Sequence, residues 1–109
     1  MSYKRSDRVA GLIKQIVAEA FMLKVKNPQV RKATVHDVVV SGNLQSVKIY
    51  VSSAKADREK TMQALEQVKG FIRSEIGAQA KLRFTPEVKF FYDESLENAE
   101  KIEMLLKNI

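Results

Sequence analysis

Apolar residues recur along the chain with two spacings, one typical of helices and one typical of strands. A spacing of three or four residues predicts a first helix over residues 7–25, a helical segment over residues 61–76 and a last helix over residues 96–109. Ser6 and Ser95 can cap the first and the last of these, because a serine hydroxyl accepts a hydrogen bond from a free helix N–H group. The predicted apolar faces consist of Val9, Leu12, Ile13, Ile16, Val17, Ala20 and Leu23 in the first helix, and Ala99, Ile102, Leu105, Leu106 and Ile109 in the last.

Alternation of apolar and polar residues predicts three strands, over residues 33–41, 45–53 and 82–92. The turn sequence Ser41-Gly42-Asn43-Leu44 joins the first two as an antiparallel hairpin. The first strand is the more apolar and β-branched of the pair, so we expect it to be the more central one. The helical segment after the second strand forms a crossover, which allows the third strand to pair in parallel. Pro86 belongs at the start of that strand or on an edge, because it has no N–H group to donate.

Gly70 interrupts the helical segment, where glycine costs about 1 kcal/mol relative to alanine. Phe71 would point away from the stripe of apolar residues on a continuous helix, and a bend at Gly70 could return it to the core. We therefore interpret the segment as two helices joined at a kink formed by Val68, Lys69 and Gly70. A single helix that tolerates its glycine accounts for the periodicity equally well, so the pattern leaves both interpretations open.

The chain of 109 residues carries a net charge of +6 and has no cysteine. Residues 1–32 hold eight basic and two acidic residues, whereas residues 90–109 hold two basic and five acidic residues. A basic front and an acidic back favour a polyanionic partner that meets one side of the molecule, although an ordinary basic protein could have the same total. We expect a single domain over residues 1–109 in the reducing cytoplasm, with no membrane segment.

Residues suited to catalysis are few. His36 is the only histidine, it lies in the middle of a predicted strand, and the sequence offers no glycine-rich phosphate loop. Glu97, Glu100 and Glu103 could hold a metal ion on one helix face, but a solvated acidic face explains them better. A small hydrolase that uses His36 is therefore the weakest hypothesis, and we expect no enzymatic activity, no cofactor and no metal.

The predicted order α-β-β-α-α-β resembles that of a type II KH domain, an RNA-binding α+β module. A KH domain clamps nucleic acid with a Gly-x-x-Gly loop, which this chain lacks; at the equivalent joint it has the residues of the predicted kink. Further segments resemble the ribosome-binding factor A family, in which an Ala-x-Gly kink replaces that loop, although Val68 stands here in place of the alanine. The resemblance is carried by Arg8-Val9, Val25-Lys26-Asn27-Pro28, residues 41–51, Gly70-Phe71-Ile72-Arg73 and residues 82–95.

The resemblance implies a type II KH-like domain with a kinked helix pair, a three-stranded mixed sheet and a C-terminal helix. It also implies a non-catalytic factor that binds the small ribosomal subunit and its rRNA late in assembly. Such factors assist maturation of the rRNA ends, matter most in the cold and are released with the help of an assembly GTPase. We further expect a cytoplasmic protein that is monomeric when free.

Two hypotheses for ribosome binding follow from the charges. In the first, basic side chains around the kink and on the first helix contact rRNA phosphates, and binding weakens steeply with salt. The candidate RNA-binding residues are Arg5, Arg8, Lys14, Lys69, Arg73, Lys81 and Arg83. In the second, the chain is a docking module whose acidic last helix contacts ribosomal proteins.

Overall fold

The computed structural model describes residues 4–107, without the side chains of residues 96–100. Helix α1 continues directly into a π-helical turn at Ala20–Lys24, and a 3₁₀ turn at Lys55–Asp57 leads into α3. The helices and strands are α1 (Arg5–Glu19), α2 (Pro28–Lys32), β1 (Thr34–Val40), β2 (Ser46–Ser52), α3 (Arg58–Ala80), β3 (Glu87–Tyr92) and α4 (Ser95–Lys107).

The sheet has the order β1-β2-β3, with β1 antiparallel and β3 parallel to β2. This confirms the α+β class, the hairpin and the parallel crossover. The prediction that β1 is the more central strand is wrong, because the crossover through α3 returns the chain to the free edge of β2. β1 is an edge strand with a register shift between Val35 and Asp37, and such irregularities are common at sheet edges.

The core lies between one face of the sheet and the helices α1 and α3. Its fully buried side chains include Ile13 and Val17 of α1, Ile49 of β2, and Leu65 and Ile72 of α3. Each strand places alternate residues on this face, so the intervening residues form a second sheet face, which we call the open face.

Helix α3 runs without interruption for 23 residues, through Val68, Lys69 and Gly70. The predicted pair of helices is therefore wrong, and the alternative of one helix that tolerates its glycine is correct. No neighbouring atom lies within 4 Å of the position that a Cβ atom on Gly70 would occupy, so no close contact requires a break there. Phe71 stays on the outer side with 43% of its surface exposed, as expected on a continuous helix.

The π-helical turn alters which residues of the first helix are buried. The Val25 N–H group donates to the Ala20 carbonyl, five residues earlier, and this wider turn shifts the apolar face by one position. Phe21 and Val25 are buried as a result, whereas Leu23, predicted to be in the core, is 73% exposed. The predicted Ser6 cap is also wrong, because α1 begins at Arg5 and its N-cap residue is Lys4.

Helix α4 begins at Ser95 itself, so the predicted cap at this residue is wrong; the Asp93 carboxylate accepts a hydrogen bond from the Ser95 N–H group. Ile102 and Leu105, predicted to serve the core, are 58% and 68% exposed. Residues 108–109 and the side chains of Glu97, Ala99 and Glu100 lie outside the described part of the chain.

Candidate nucleic-acid interface

Three segments of the chain meet at one end of the sheet and form a cleft. They are the N-terminus of α1, the β1–β2 turn and the α3–β3 loop, and they enclose a cavity of about 230 Å³. The residues that line this sheet-end cleft are Arg5, Asn43, Leu44, Gln45, Leu82, Arg83 and Phe84. The cleft therefore brings together two of the predicted RNA-binding residues, Arg5 and Arg83, which are far apart in the sequence.

The β1–β2 turn is held by side-chain hydrogen bonds. The Asn43 Oδ1 atom accepts from the Ser41 hydroxyl at 2.6 Å and from the Gln45 N–H group at 3.1 Å. The Leu44 N–H group donates to the Ser41 carbonyl, and Leu44 takes a left-handed backbone with φ of 61°. This conformation, which non-glycine residues rarely adopt, orients Leu44 so that it packs against the core and closes one side of the cleft.

Arg73 fixes the α3–β3 loop to α3. Its Nε atom donates to the Pro86 carbonyl at 3.0 Å, and its Nη2 atom donates to the Thr85 carbonyl at 3.4 Å. Nη2 also lies 3.3 Å from the Glu87 carboxylate. Gly77 allows the α3–β3 loop to lie close to α3, because a Cβ atom at this position would lie 2.7 Å from the Thr85 hydroxyl. The guanidinium of Arg73 thus makes contacts within the protein, and the phosphate contact predicted for it stays a prediction.

Arg83 and Phe84 form an exposed pair on this loop. The Arg83 guanidinium lies 5.3 Å from the centre of the Phe84 ring, and 60% of Phe84 is exposed. The sequence predicted a strand from residue 82, but β3 begins at Glu87, directly after the buried Pro86. The loop therefore presents an aromatic ring and a cation side by side, a combination suited to stacking on a nucleic-acid base.

The other predicted cations divide into two groups. Arg8 and Lys14 lie on the exposed side of α1, where Lys14 and Gly11 line a shallow cavity of about 290 Å³ that also contains Asp7 and Asp37. Lys81 is exposed and ends α3 in a left-handed conformation, two residues before Arg83.

Lys69 lies neither on the exposed side of α1 nor beside Arg83 at the cleft. It is partly buried on α3, and its Nζ atom lies 2.7 Å from the Glu66 carboxylate, three residues earlier. Like Arg73, it is paired within the protein. The predicted set is thus only partly brought together by the fold.

The family model for ribosome-binding factor A matches residues 5–106, nearly the whole chain. The chain belongs to the ribosome-binding factor A family. A ribosome-binding factor A from Thermodesulfovibrio yellowstonii is 40% identical over 108 residues, which cover 98% of this chain and 92% of the relative. The family consists of ribosome-binding factors and not of enzymes.

Solved structures of the family share the fold. The crystal structure of ribosome-binding factor A from Thermus thermophilus superposes with a TM-score of 0.72 at 18% identity, covering 80% of this chain and 94% of that one. A Thermus thermophilus model fitted into a cryo-EM map of a 30S complex superposes with a TM-score of 0.66 at 19% identity, covering 78% and 91%. The likeness confirms that the fold of this chain is KH-like.

His36 lies in a different place from the cleft, near the opposite end of the sheet. Its Nε2 atom is 2.5 Å from the hydroxyl of Ser52 on β2, a pairing that the sequence did not reveal. Both side chains lie on the open face of the sheet. A histidine–serine contact alone does not make a catalytic site. Together with membership of a non-enzymatic family, this leaves the hydrolase hypothesis without support.

Sequence reasoning missed two further features that involve lysine. The Nζ atom of Lys24, in the π-helical turn, lies 2.9 Å from the Glu75 carboxylate of α3, and this contact holds the pKa of Glu75 below its usual value. Lys48 and Lys89 are direct neighbours on β2 and β3. Strand alternation combined with the parallel pairing could have revealed the second feature, whereas nothing in the sequence indicated the first.

Within residues 4–107, no helix combines the length and the apolar character that a membrane crossing requires.

Proposed function

We propose that the protein is a non-catalytic factor that binds the small ribosomal subunit through its rRNA and assists late maturation of that subunit. Family membership supports this function, as does the related Thermus thermophilus protein fitted into a 30S complex. The single observation that carries the RNA contact is the convergence of Arg5 and Arg83 on the sheet-end cleft, beside the exposed ring of Phe84.

In this proposal the cleft and the exposed side of α1 contact the RNA together. Arg5, Arg83 and Lys81 bind phosphates around the cleft, and Phe84 stacks on an unpaired base. Arg8 and Lys14 extend the contact along α1, where Gly11 keeps the helix surface low. Recognition rests mainly on RNA shape and backbone, because phosphate contacts carry no sequence information directly.

Lys69 and Arg73 have a subordinate place in this interface. The positive charge of Lys69 is partly offset by the Glu66 carboxylate, and the guanidinium of Arg73 already donates to the α3–β3 loop. We therefore assign Arg73 the role of holding Arg83 and Phe84 in place, and Lys69 a peripheral contact.

The same proposal includes the finer expectations that follow from the family. They are processing of the rRNA ends, a greater need for the factor in the cold, release with an assembly GTPase, a cytoplasmic location and a monomeric free state. Each of these concerns the biology of the complex and is separable from the RNA contact itself.

Cosedimentation with purified small subunits, mature and immature, across a salt series tests the RNA contact. We expect preferential binding to the immature particle that weakens steeply with salt, because each phosphate contact releases counterions. The double variant Arg5→Gln with Arg83→Gln should lower the affinity and flatten the salt dependence. The matched control is Lys55→Gln with Lys60→Gln, which removes the same charge from the opposite end of the sheet. Equal binding by both double variants would contradict the assignment of the cleft.

The exposed apolar side chains of α4 favour a second candidate function, a docking module for ribosomal proteins. Ile102, Leu105 and Leu106 are all more than half exposed, and acidic residues accompany them on the helix. Replacing Glu97, Glu100 and Glu103 with Gln and repeating the cosedimentation separates the two candidates. A loss of subunit binding in this variant, with full binding by the Arg5 and Arg83 variant, would favour protein docking.

A further inference from the structure

Four side chains on the open face of the sheet form two adjacent rows across β2 and β3. The parallel register places Lys48 beside Lys89, and two residues further along it places Tyr50 beside Phe91. The rings of Tyr50 and Phe91 are stacked, with centroids 5.4 Å apart and planes inclined by 25°. We call these four residues the aromatic–lysine platform. Two strand residues, roughly 6.6 Å, separate its rows, so one ligand of nucleotide size can span both.

The platform faces away from the helical layer. Its neighbours along the strands, Val47, Ile49, Val88 and Phe90, point to the core and are buried. Lys48 and Lys89 are exposed, and Phe91 retains 38% of its surface in contact with solvent. Within the described part of the chain, neither lysine takes part in a salt bridge.

The two lysines favour an anionic ligand. Like charges placed opposite each other on neighbouring strands destabilise a sheet, and an anion bound between them would remove that repulsion. The nearby acidic side chains keep their negative charge, but each already has a hydrogen-bond or ion-pair partner of its own. Asp37 accepts from the Val38 N–H group, Glu87 lies against Arg73, and Asp93 accepts from the Ser95 N–H group.

The aromatic pair favours a ligand with a flat π surface next to its negative charge. Nucleotides combine these two properties, and exposed aromatic rings on open sheet faces are a recurring means of binding unpaired bases. A duplex does not offer free base faces, so the ligand has to be single-stranded. On β1, Val39 is also exposed next to Lys48, which extends the apolar surface available to a base.

We propose that the aromatic–lysine platform is a second RNA site, at which an unpaired base stacks on Phe91 or Tyr50 while the adjoining phosphate contacts Lys48 and Lys89. This site shares no residue with the sheet-end cleft. It rests on the proposed function only in taking RNA as the natural polynucleotide. The chemistry predicts a preference for single strands over duplexes and little dependence on base sequence.

Fluorescence anisotropy with labelled ten-nucleotide uridylate and adenylate oligomers, and with an RNA duplex of equal length, tests the platform in the full-length chain. The variant Phe91→Leu keeps an apolar side chain but removes the ring, and we expect about tenfold weaker binding of the single strands. Lys48→Gln with Lys89→Gln should weaken binding at low salt and reduce the salt slope. The control is again Lys55→Gln with Lys60→Gln. Unchanged affinity in both platform variants, or tighter binding of the duplex, would overturn the proposal.

A measurement on the unmodified protein guards against variants that unfold. In NMR titrations with the same oligomers, ring-current shifts of the Phe91 and Tyr50 ring protons are expected if a base stacks on them. Shifts confined to Arg83, Phe84 and their neighbours would place the oligomer in the cleft and refute the platform.

Small-subunit cosedimentation with the platform variants separates this proposal from the proposed function. Loss of oligomer binding by the platform variants supports the platform even where subunit binding through the cleft persists. If the unmodified protein binds no oligomer, and yet the platform variants lose subunit binding, the face contacts a protein instead and the RNA site is refuted.

Discussion

Arg73 is a predicted RNA-binding residue whose side chain also makes contacts within the protein. Its guanidinium contacts the Thr85 and Pro86 carbonyls and the Glu87 carboxylate. The sequence could not reveal the structural contacts, because the carbonyls that Arg73 contacts lie in the α3–β3 loop, 12 and 13 residues later. Only the fold brings them to its guanidinium. The positions of Arg8 and Lys14 were easier to predict, since helical periodicity alone separates them from the buried face of α1.

Replacing Arg73 with Gln should therefore destabilise the protein by about 1–3 kcal/mol, because the loop carbonyls lose charged donors in a partly buried setting. Urea unfolding followed by circular dichroism measures this change. The matched control is Arg8→Gln on the exposed side of α1, for which we expect a change within about 0.5 kcal/mol. Similar stabilities for the two variants would show that Arg73 does not hold the loop.

Gly70 and Gly77 lie on the same helix, and alanine should act on them in opposite directions. At Gly70 no atom is near the new Cβ, so Gly70→Ala should stabilise the protein by about 0.5–1 kcal/mol through helix propensity. At Gly77 the Cβ would lie 2.7 Å from the Thr85 hydroxyl, and overpacking of this kind costs about 1–3 kcal/mol, which the gain in helix propensity offsets only in part. Thermal unfolding of both variants gives the comparison.

Rescue identifies the cause of the Gly77 effect. Adding Thr85→Ala to Gly77→Ala removes the obstructing hydroxyl and should restore most of the lost stability, whereas Thr85→Ala alone should change it little. A Gly70→Ala variant that is less stable than the parent protein would contradict a continuous, unconstrained α3 and would favour the kink that the sequence suggested.

The helices show why element boundaries were harder to predict than element types. Periodicity located α1, α3, α4 and the three strands of the described chain, because each carries its apolar residues along one face. It failed at the π-helical turn, where one extra residue per turn moved Leu23 outward and Val25 inward. The short helix α2, capped by the Asn27 side chain and begun by Pro28, was also missed, because five residues are too few for a periodic signal.

We expect the contact between the π-helical turn and α3 to make the stability of the protein depend on pH. Lys24 above all, and then Gln79, lower the pKa of Glu75 from its ordinary value of 4.5. A lowered pKa stabilises the folded state above the unfolded value, and this contribution is lost as the pH falls from about 4.5 through the folded pKa. We therefore expect Glu75→Gln to be less stable than the parent near pH 7, and the difference to vanish at low pH.

Urea unfolding at a series of pH values between 7 and 3 measures this difference. Glu59→Gln, a change of equal charge at an exposed position in the first turn of α3, serves as the control. A constant difference between the parent and Glu75→Gln across the series would mean that the Lys24–Glu75 contact does not contribute to stability.

At the scale of the whole molecule, the predicted element order indicated a KH-like α+β domain even though it divided α3 into two helices. The order of the strands was not, since the composition of β1 resembles that of a central strand although it forms an edge. The candidate interface was likewise predicted only in part, because it depends on the three-dimensional arrangement of segments that are distant in the sequence. Charge patterning identifies basic segments, whereas the meeting of Arg5 with Arg83 depends on how the β1–β2 turn and the α3–β3 loop close around the end of the sheet.

Helix α4 offers a test of how far the folded domain extends. All its described side chains from Lys101 to Lys107 are exposed, so a chain that ends after Glu100 should unfold with a free energy within about 0.5 kcal/mol of the full-length value. Ile72→Ala, which truncates a fully buried side chain of α3, is the positive control and should cost about 2–5 kcal/mol. A large loss of stability on truncation would show that α4 packs on the domain. Unchanged stability makes the truncated chain a clean probe of docking, because any loss of small-subunit binding is then due to the missing helix surface and not to unfolding.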